Sequence, residues 1–135
     1  MFLRFRKYFY KNYNMDIKKS KNKFFDFFIM NGSNKTYVKI FNRKSPFILT
    51  FNSKTHIEVK IGKLRGNNFK IKRKTIYNIF ELANYDKAFI FDKKPFKVLS
   101  YKNESELEDI SLYKEHRGIS FYTSLNELIK RENNE

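Results

Sequence analysis

Residues 37–71 read YVKIFNRKSPFILTFNSKTHIEVKIGKLRGNNFKI. Apolar and polar residues alternate there in four short runs, 37–41, 47–51, 56–61 and 69–71. A period of two marks a strand with one buried face. In the third run Ile57, Val59 and Ile61 share one face, and His56, Glu58 and Lys60 share the other. Three connectors separate the runs, 42–46, 52–54 and 62–68, and each places Asn beside Lys or Arg. The stretch therefore predicts β structure joined by basic loops.

Outward from this stretch the pattern changes. Ile76, Ile79, Phe80 and Ala83 follow a helical period behind Thr75, a suitable N-cap, which predicts a helix ending near Asn84. Two strands follow at 87–91 and 96–101, joined by Asp92-Lys93-Lys94-Pro95, and then an acidic loop at 102–109. Residues 119–123 alternate as a strand, and Ser124-Leu125-Asn126-Glu127 is a capping box that opens a short last helix. On the N-terminal side β structure starts at Phe24, and 17–23 reads as a polar linker. Residues 2–13 have aromatic residues at 2, 5, 8 and 9 with Arg4, Arg6, Lys7 and Lys11 between them. This predicts a basic amphipathic helix whose apolar side docks on the core and whose basic side lies on phosphate. Residues 1–23 are thus a candidate basic arm. The length of 135 residues fits a single domain spanning 1–135, and no internal repeat is present.

The charge is divided unevenly along the chain. Residues 1–75 carry 20 Lys and Arg against 3 acids, and residues 76–135 carry 9 against 11. Surface charge governs partners rather than fold, so this excess points to a polyanion, and RNA is the polyanion expected. At 41% hydrophobic and 19% aromatic the chain is too apolar for a disordered basic tail. The absence of Cys excludes disulfides, thiolate metal sites and a Cys nucleophile, and two His are few for a metal centre, so no cofactor or metal is expected. No apolar run approaches the roughly 18 residues of a membrane span. Lys, Asn, Phe, Ile and Tyr abound, Ala83 and Ala88 are the only alanines and Trp is absent. AT-rich codons produce that bias, which fits an organelle genome or an AT-rich organism.

The basic loops are the foremost candidate site. Asn42, Arg43 and Lys44 form one group, Asn52 and Lys54 a second, and Arg65, Asn67 and Asn68 a third. Lys70, Lys72, Arg73 and Lys74 form a run behind them. Lys and Arg neutralise phosphate, Asn reaches bases and 2′-hydroxyls, and flanking glycine lets the backbone approach closely. A solvated basic face is the bland alternative. Tyr37, Phe47 and Phe51 are candidates for stacking on unpaired bases, although aromatic residues in alternating strands are more often core. Two enzyme readings stand beside the binding one. Glu104, Glu106, Glu108 and Asp109 suggest a nuclease metal cluster, but such sites need carboxylates from separate elements. His56 and His116 suggest an acid/base pair, but nothing in the sequence brings them together. A third class is a basic subunit of an organelle membrane complex bound to anionic lipid.

Two segments resemble a known family. Residues 69–80, FKIKRKTIYNIF, align without a gap to the segment V-T-L-R-G-x-x-M-Y-x-F-L of the large-subunit ribosomal protein L-five family. Residues 104–124 resemble the family's closing region, in which an acidic stretch leads to Arg-Gly and then to a hydrophobic strand. Here these are Glu106-Leu107-Glu108-Asp109, Glu115-His116 and Arg117-Gly118, and plant mitochondrial members are the most similar. The Arg-Gly before the family's middle helix is Lys72-Arg73 here, and its loop toward P-site tRNA has no counterpart. The resemblance implies an α+β fold, an antiparallel sheet with helices packed on one face. It also implies a structural, non-catalytic place in the central protuberance of the large ribosomal subunit. The implied partners are 5S rRNA or large-subunit rRNA, neighbouring ribosomal proteins and a small-subunit head protein, with no membrane. Arg117 joins the candidate RNA-binding residues on this basis.

Overall fold

The computed structural model describes residues 2–103 and 105–134, with the backbone alone described for Phe2, Phe5, Asn133 and Asn134. The described elements run α1 (Phe2–Tyr13), β1 (Asp16–Lys19), β2 (Phe27–Asn31), β3 (Asn34–Phe41), β4 (Phe47–Phe51), β5 (His56–Arg65) and β6 (Asn68–Asn78). After a 3-10 turn at Phe80–Leu82 come β7 (Asp86–Phe91), β8 (Lys97–Asn103), β9 (Glu106–Asp109), β10 (Glu115–His116), β11 (Ile119–Tyr122) and α2 (Leu125–Asn134). The content is mixed α and β, with strands dominant. These elements form two compact units, each with its own sheet. The first holds the chain up to Phe41, Asn84–Asp92 and the chain from Lys114 onward; the second holds Asn42–Ala83 and Lys93–Tyr113.

The sheet of the first unit has the order β1-β2-β3-β7-β11-β10. Its register lines up Ile17 with Ile29, Phe27 with Val38, Val38 with Ala88, and Ile40 with Ile90 on one face. Phe9 of α1 and Leu128 and Ile129 of α2 are buried in the cluster these residues form. Each such side chain stabilises the fold by about 1.5–3 kcal/mol when fully buried. The other face is aromatic. Phe89 stacks on Phe121 at 5.8 Å and Phe41 on Phe91 at 5.1 Å, while Phe24 reaches Phe89 at 5.6 Å. Much of the aromatic excess of the sequence is therefore core.

The sheet of the second unit has the order β6-β5-β4-β8-β9. Phe47, Leu49, Phe51 and Ile57 are buried on it, together with Val98 and Ile110. Tyr37, like Phe47 and Phe51, is buried, so these three candidate base-stacking rings belong to the core.

Four expectations need correction. The sheets are mostly antiparallel, but β3–β7, β7–β11 and β4–β8 are parallel. Parallel neighbours require a crossover, and each of these pairs is separated by an excursion of the chain into the other unit. The helix expected behind Thr75 is absent: Thr75 pairs with Val59, Ile76 with Glu58 and Tyr77 with Ile57, all within β6. Thr, Ile and Tyr favour strands, and the ten residues of β5 supply a partner long enough to hold them extended. Helical geometry survives only as the 3-10 turn, where the Phe80 N–H donates to Asn78 Oδ1 at 2.8 Å. The linker expected at 17–23 begins as β1, because Ile17 is fully buried opposite Ile29. The acidic loop is largely β9, paired to β8, and Glu104 lies outside the described residues.

Candidate nucleic-acid interface

The hairpin of β5 and β6 is long, and most of it is exposed. Its two-residue turn is Gly66-Asn67, with Gly66 at φ +62°. A positive φ at the first turn position suits glycine and matches the twist of the flanking strands. Midway along, the register shifts between Ile61 and Gly62, and Lys72 on β6 has no opposite residue. Gly62 is required at this bulge. A Cβ there would fall on the Lys70 carbonyl oxygen and lie 2.9 Å from a ring carbon of Phe69. The Phe69 ring in turn stacks flat on Phe96 at 5.6 Å, and Lys97 sits 5.7 Å above Phe96.

Beyond the bulge the cations converge. Lys63 lies directly opposite Lys70, and Arg65 opposite Asn68. Alternation on β5 puts Lys63 and Arg65 on the same face as Ile61, whose partner is Arg73. One face of the hairpin end thus carries Lys63, Arg65, Lys70 and Arg73. The other face has Lys60 opposite Lys74, with Leu64 and Ile71 exposed beside them. Directly opposed side chains have Cβ atoms about 5 Å apart, and like charges there are destabilising. Lys60 is compensated by Glu58 at 3.2 Å, and Glu58 also accepts from the Asn52 amide at 3.3 Å. Among the described residues no carboxylate lies within salt-bridge distance of Lys63, Arg65, Lys70, Lys72, Arg73 or Lys74.

The sequence-predicted residues divide accordingly. Arg65, Asn67, Asn68, Lys70, Lys72, Arg73 and Lys74 are brought together on the hairpin. Asn42, Arg43 and Lys44 are exposed on the segment entering β4, which meets the hairpin where Gly62 N–H donates to the Pro46 oxygen at 3.0 Å. Asn52 and Lys54 sit in the β4–β5 turn at the other end of β5, about 30 Å along the strand. Asn52 is engaged there with Glu58 and does not extend the basic surface. Arg117 belongs to the first unit. With Gly118 it forms the turn from β10 to β11, both residues at positive φ, +52° and +78°. Its Nε donates to His116 Nε2 at 3.1 Å, so its visible role is to shape a tight turn. Lys63 was missed by loop-based reasoning. The signal was present in the alternation Val59, Ile61, Lys63, Arg65, which continues the strand past Gly62.

The catalytic alternatives gain no geometry. His56 lies in the second unit, with Nδ1 2.7 Å from Thr55 Oγ1, and His116 lies in the first. Glu106 and Glu108 are spaced along a single strand, and no group of three or more His, Cys, Asp or Glu among the described residues could hold a metal ion. The first unit has a polar recess of about 210 Å3 lined in part by Thr36, Lys87, Glu115, Arg131 and Glu132. Its groups largely bond one another: Arg131 donates to Ser120 and Tyr122, both at 2.6 Å, and Glu132 accepts from Thr36 at 3.2 Å. Burial pushes the Lys87 ammonium below the usual lysine range, and its Nζ donates to the Tyr85 oxygen at 2.8 Å. No helix among the described residues is long and apolar enough to cross a membrane. Comparison with known proteins finds no family model, no curated protein and no solved structure that matches the chain.

Proposed function

We propose that this protein is a non-catalytic RNA-binding component of a ribonucleoprotein, and that its particle is the large ribosomal subunit of a mitochondrion. One observation carries the RNA-binding part. Lys63 and Lys70 face each other across the hairpin, flanked by Arg65 and Arg73, with no carboxylate among the described residues within salt-bridge distance. Such an arrangement costs stability in the free chain and is relieved when phosphates enter between the side chains. The sequence resemblance at 69–80 and 104–124, together with the AT-rich residue usage, supports the ribosomal and mitochondrial part. In this reading both helices cover one face of the first sheet, as Phe9, Leu128 and Ile129 in a common cluster suggest. The partners are rRNA and neighbouring ribosomal proteins.

The test is binding of a structured RNA hairpin by fluorescence anisotropy at stepped salt. Affinity should fall steeply with salt, and each neutralised contact should reduce the log–log slope by roughly 0.7–0.9. A flat salt response overturns the RNA-binding reading. Co-sedimentation with large subunits at moderate salt tests the particle, and migration free of them overturns that assignment.

A further inference from the structure

The outer surface of α1 is the second basic surface of the molecule, and its composition differs from that of the hairpin. The inner side of the helix is occupied: Phe9 is fully buried, with its ring 6.0 Å from Phe27 and 5.8 Å from Tyr13. Residues three and four apart share a helical face. Leu3, Lys7 and Tyr10 therefore form one outward stripe, and Arg4, Tyr8 and Lys11 the next. Leu3, Tyr8 and Tyr10 are 68%, 50% and 65% exposed. The helix contains no acid, and its one ion pair among the described residues is Arg6 with Asp16 at 3.3 Å. Its C-terminus is fixed by Asn14 at φ +53°, whose N–H donates to the Tyr10 oxygen at 3.1 Å, so the Tyr10 backbone is held in place.

Cations interleaved with exposed rings suit one class of ligand. A membrane-surface helix segregates an apolar face for the lipid from a cationic face for the headgroups. Here the Phe9 ring is already spent on the core, and the outer stripes mix the two residue types. Single-stranded RNA presents alternating phosphates and unpaired bases, which need this mixture. Tyr8 is partly engaged, its hydroxyl 3.5 Å from that of Tyr13. Tyr10 is the more exposed ring and has cations on both sides, Lys7 and Lys11.

We propose that α1 is a stacking platform for unpaired RNA bases, with Tyr10 as the principal ring and Arg4, Lys7 and Lys11 on the flanking phosphates. This rests on the RNA-binding reading and adds single-strand recognition to it. The test compares the affinity of the full chain for a 12-nucleotide single strand and for a blunt RNA duplex (about one module's footprint). Tyr10→Ala should weaken single-strand binding about tenfold and leave duplex binding unchanged, and Tyr10→Trp should restore it. A variant neutralised at Lys63, Arg65 and Lys70 should weaken both. If the wild type binds both RNAs and Tyr10→Ala alters neither, the stacking inference is overturned while the hairpin reading stands. If the wild type binds neither RNA, both are overturned. If Tyr10→Ala instead abolishes binding to phosphatidylserine vesicles and spares RNA, the surface is a lipid surface and the inference is wrong.

Discussion

The two edges of the second sheet make opposite use of the same exposure. β6 runs eleven residues along one edge and presents Lys70, Lys72, Arg73 and Lys74. β9 runs four residues along the other and presents Glu106, Glu108 and Asp109. Asn42–Ala83 carries ten Lys and Arg against two acids, whereas Lys93–Tyr113 carries four against four. Charge is thus sorted by strand position within one sheet. An unpaired edge invites strand addition, and lysines with a bulge discourage it. On β6 the same residues that protect the edge leave cations uncompensated. On β9 shortness protects the edge, and its carboxylates repel a polyanion.

The largest effect that would break this contrast is on binding. Changing Lys63, Arg65 and Lys70 together to Gln should lower affinity for structured RNA about a hundredfold at low salt and reduce the salt slope by roughly 2–3. Glu106→Gln with Glu108→Gln on the opposite edge should alter it little. Equal losses from the two variants would show that the edges do not differ in function. Next is stability. Gly62→Val puts a branched side chain against the Lys70 carbonyl and should cost about 3 kcal/mol in urea unfolding, whereas Leu107→Val on β9 should stay within about 0.5 kcal/mol. A smaller loss is expected for Glu58→Gln, about 1–2 kcal/mol, because it leaves Lys60 opposite Lys74 with no acid beside them.

The smallest effect concerns pH and sharpens the acidic side. Ser111 donates to Asp109 through its hydroxyl and its backbone N–H, and this holds the Asp109 carboxyl below its ordinary value of 3.8. The charged form is favoured by folding, so its contribution is present at neutral pH. It is lost as pH falls below that ordinary value and through the depressed one. Ser111→Ala removes the hydroxyl donor and keeps the backbone N–H, so it should raise the Asp109 titration, followed by NMR, part of the way toward the usual carboxylate range. It should also free the Val98 N–H, which now donates to Ser111 Oγ at 3.0 Å.

How far the sequence was legible depended on whether the signal was local. The run 47–51 matches β4 residue for residue, and Ser124 with Glu127 marked the start of α2, where the Glu127 N–H donates to Ser124 Oγ at 3.4 Å. Alternation and the full capping box of Ser124 and Glu127 are local patterns, and the tertiary context left both in place. The helix expected after Thr75 failed because Thr75, Ile76 and Tyr77 also fit a strand while a partner lasts, and the reach of β5 to Arg65 was hidden by Gly62 and Lys63. The division into two sheets was invisible because it depends on which distant strands pair, β3 with β7 and β4 with β8. The basic residues themselves were legible, but their arrangement was not. Assigned to a loop, Arg65 looked like a neighbour of Asn, and Lys70 like the start of a separate basic run; in the register they stand with Lys63 and Arg73.

The interleaving of the chain sets an order of events during synthesis. The cluster of the first unit joins Phe9 to Leu128 and Ile129, so its sheet cannot close until the last helix has emerged. β4, β5 and β6, by contrast, are consecutive and antiparallel, joined by short turns, and need only local contacts to form. The cationic hairpin therefore becomes available while the older N-terminal strands still lack β7 and β11. A nascent chain of this design displays its cationic hairpin early and completes its fold late, so the surface and the fold are not finished together.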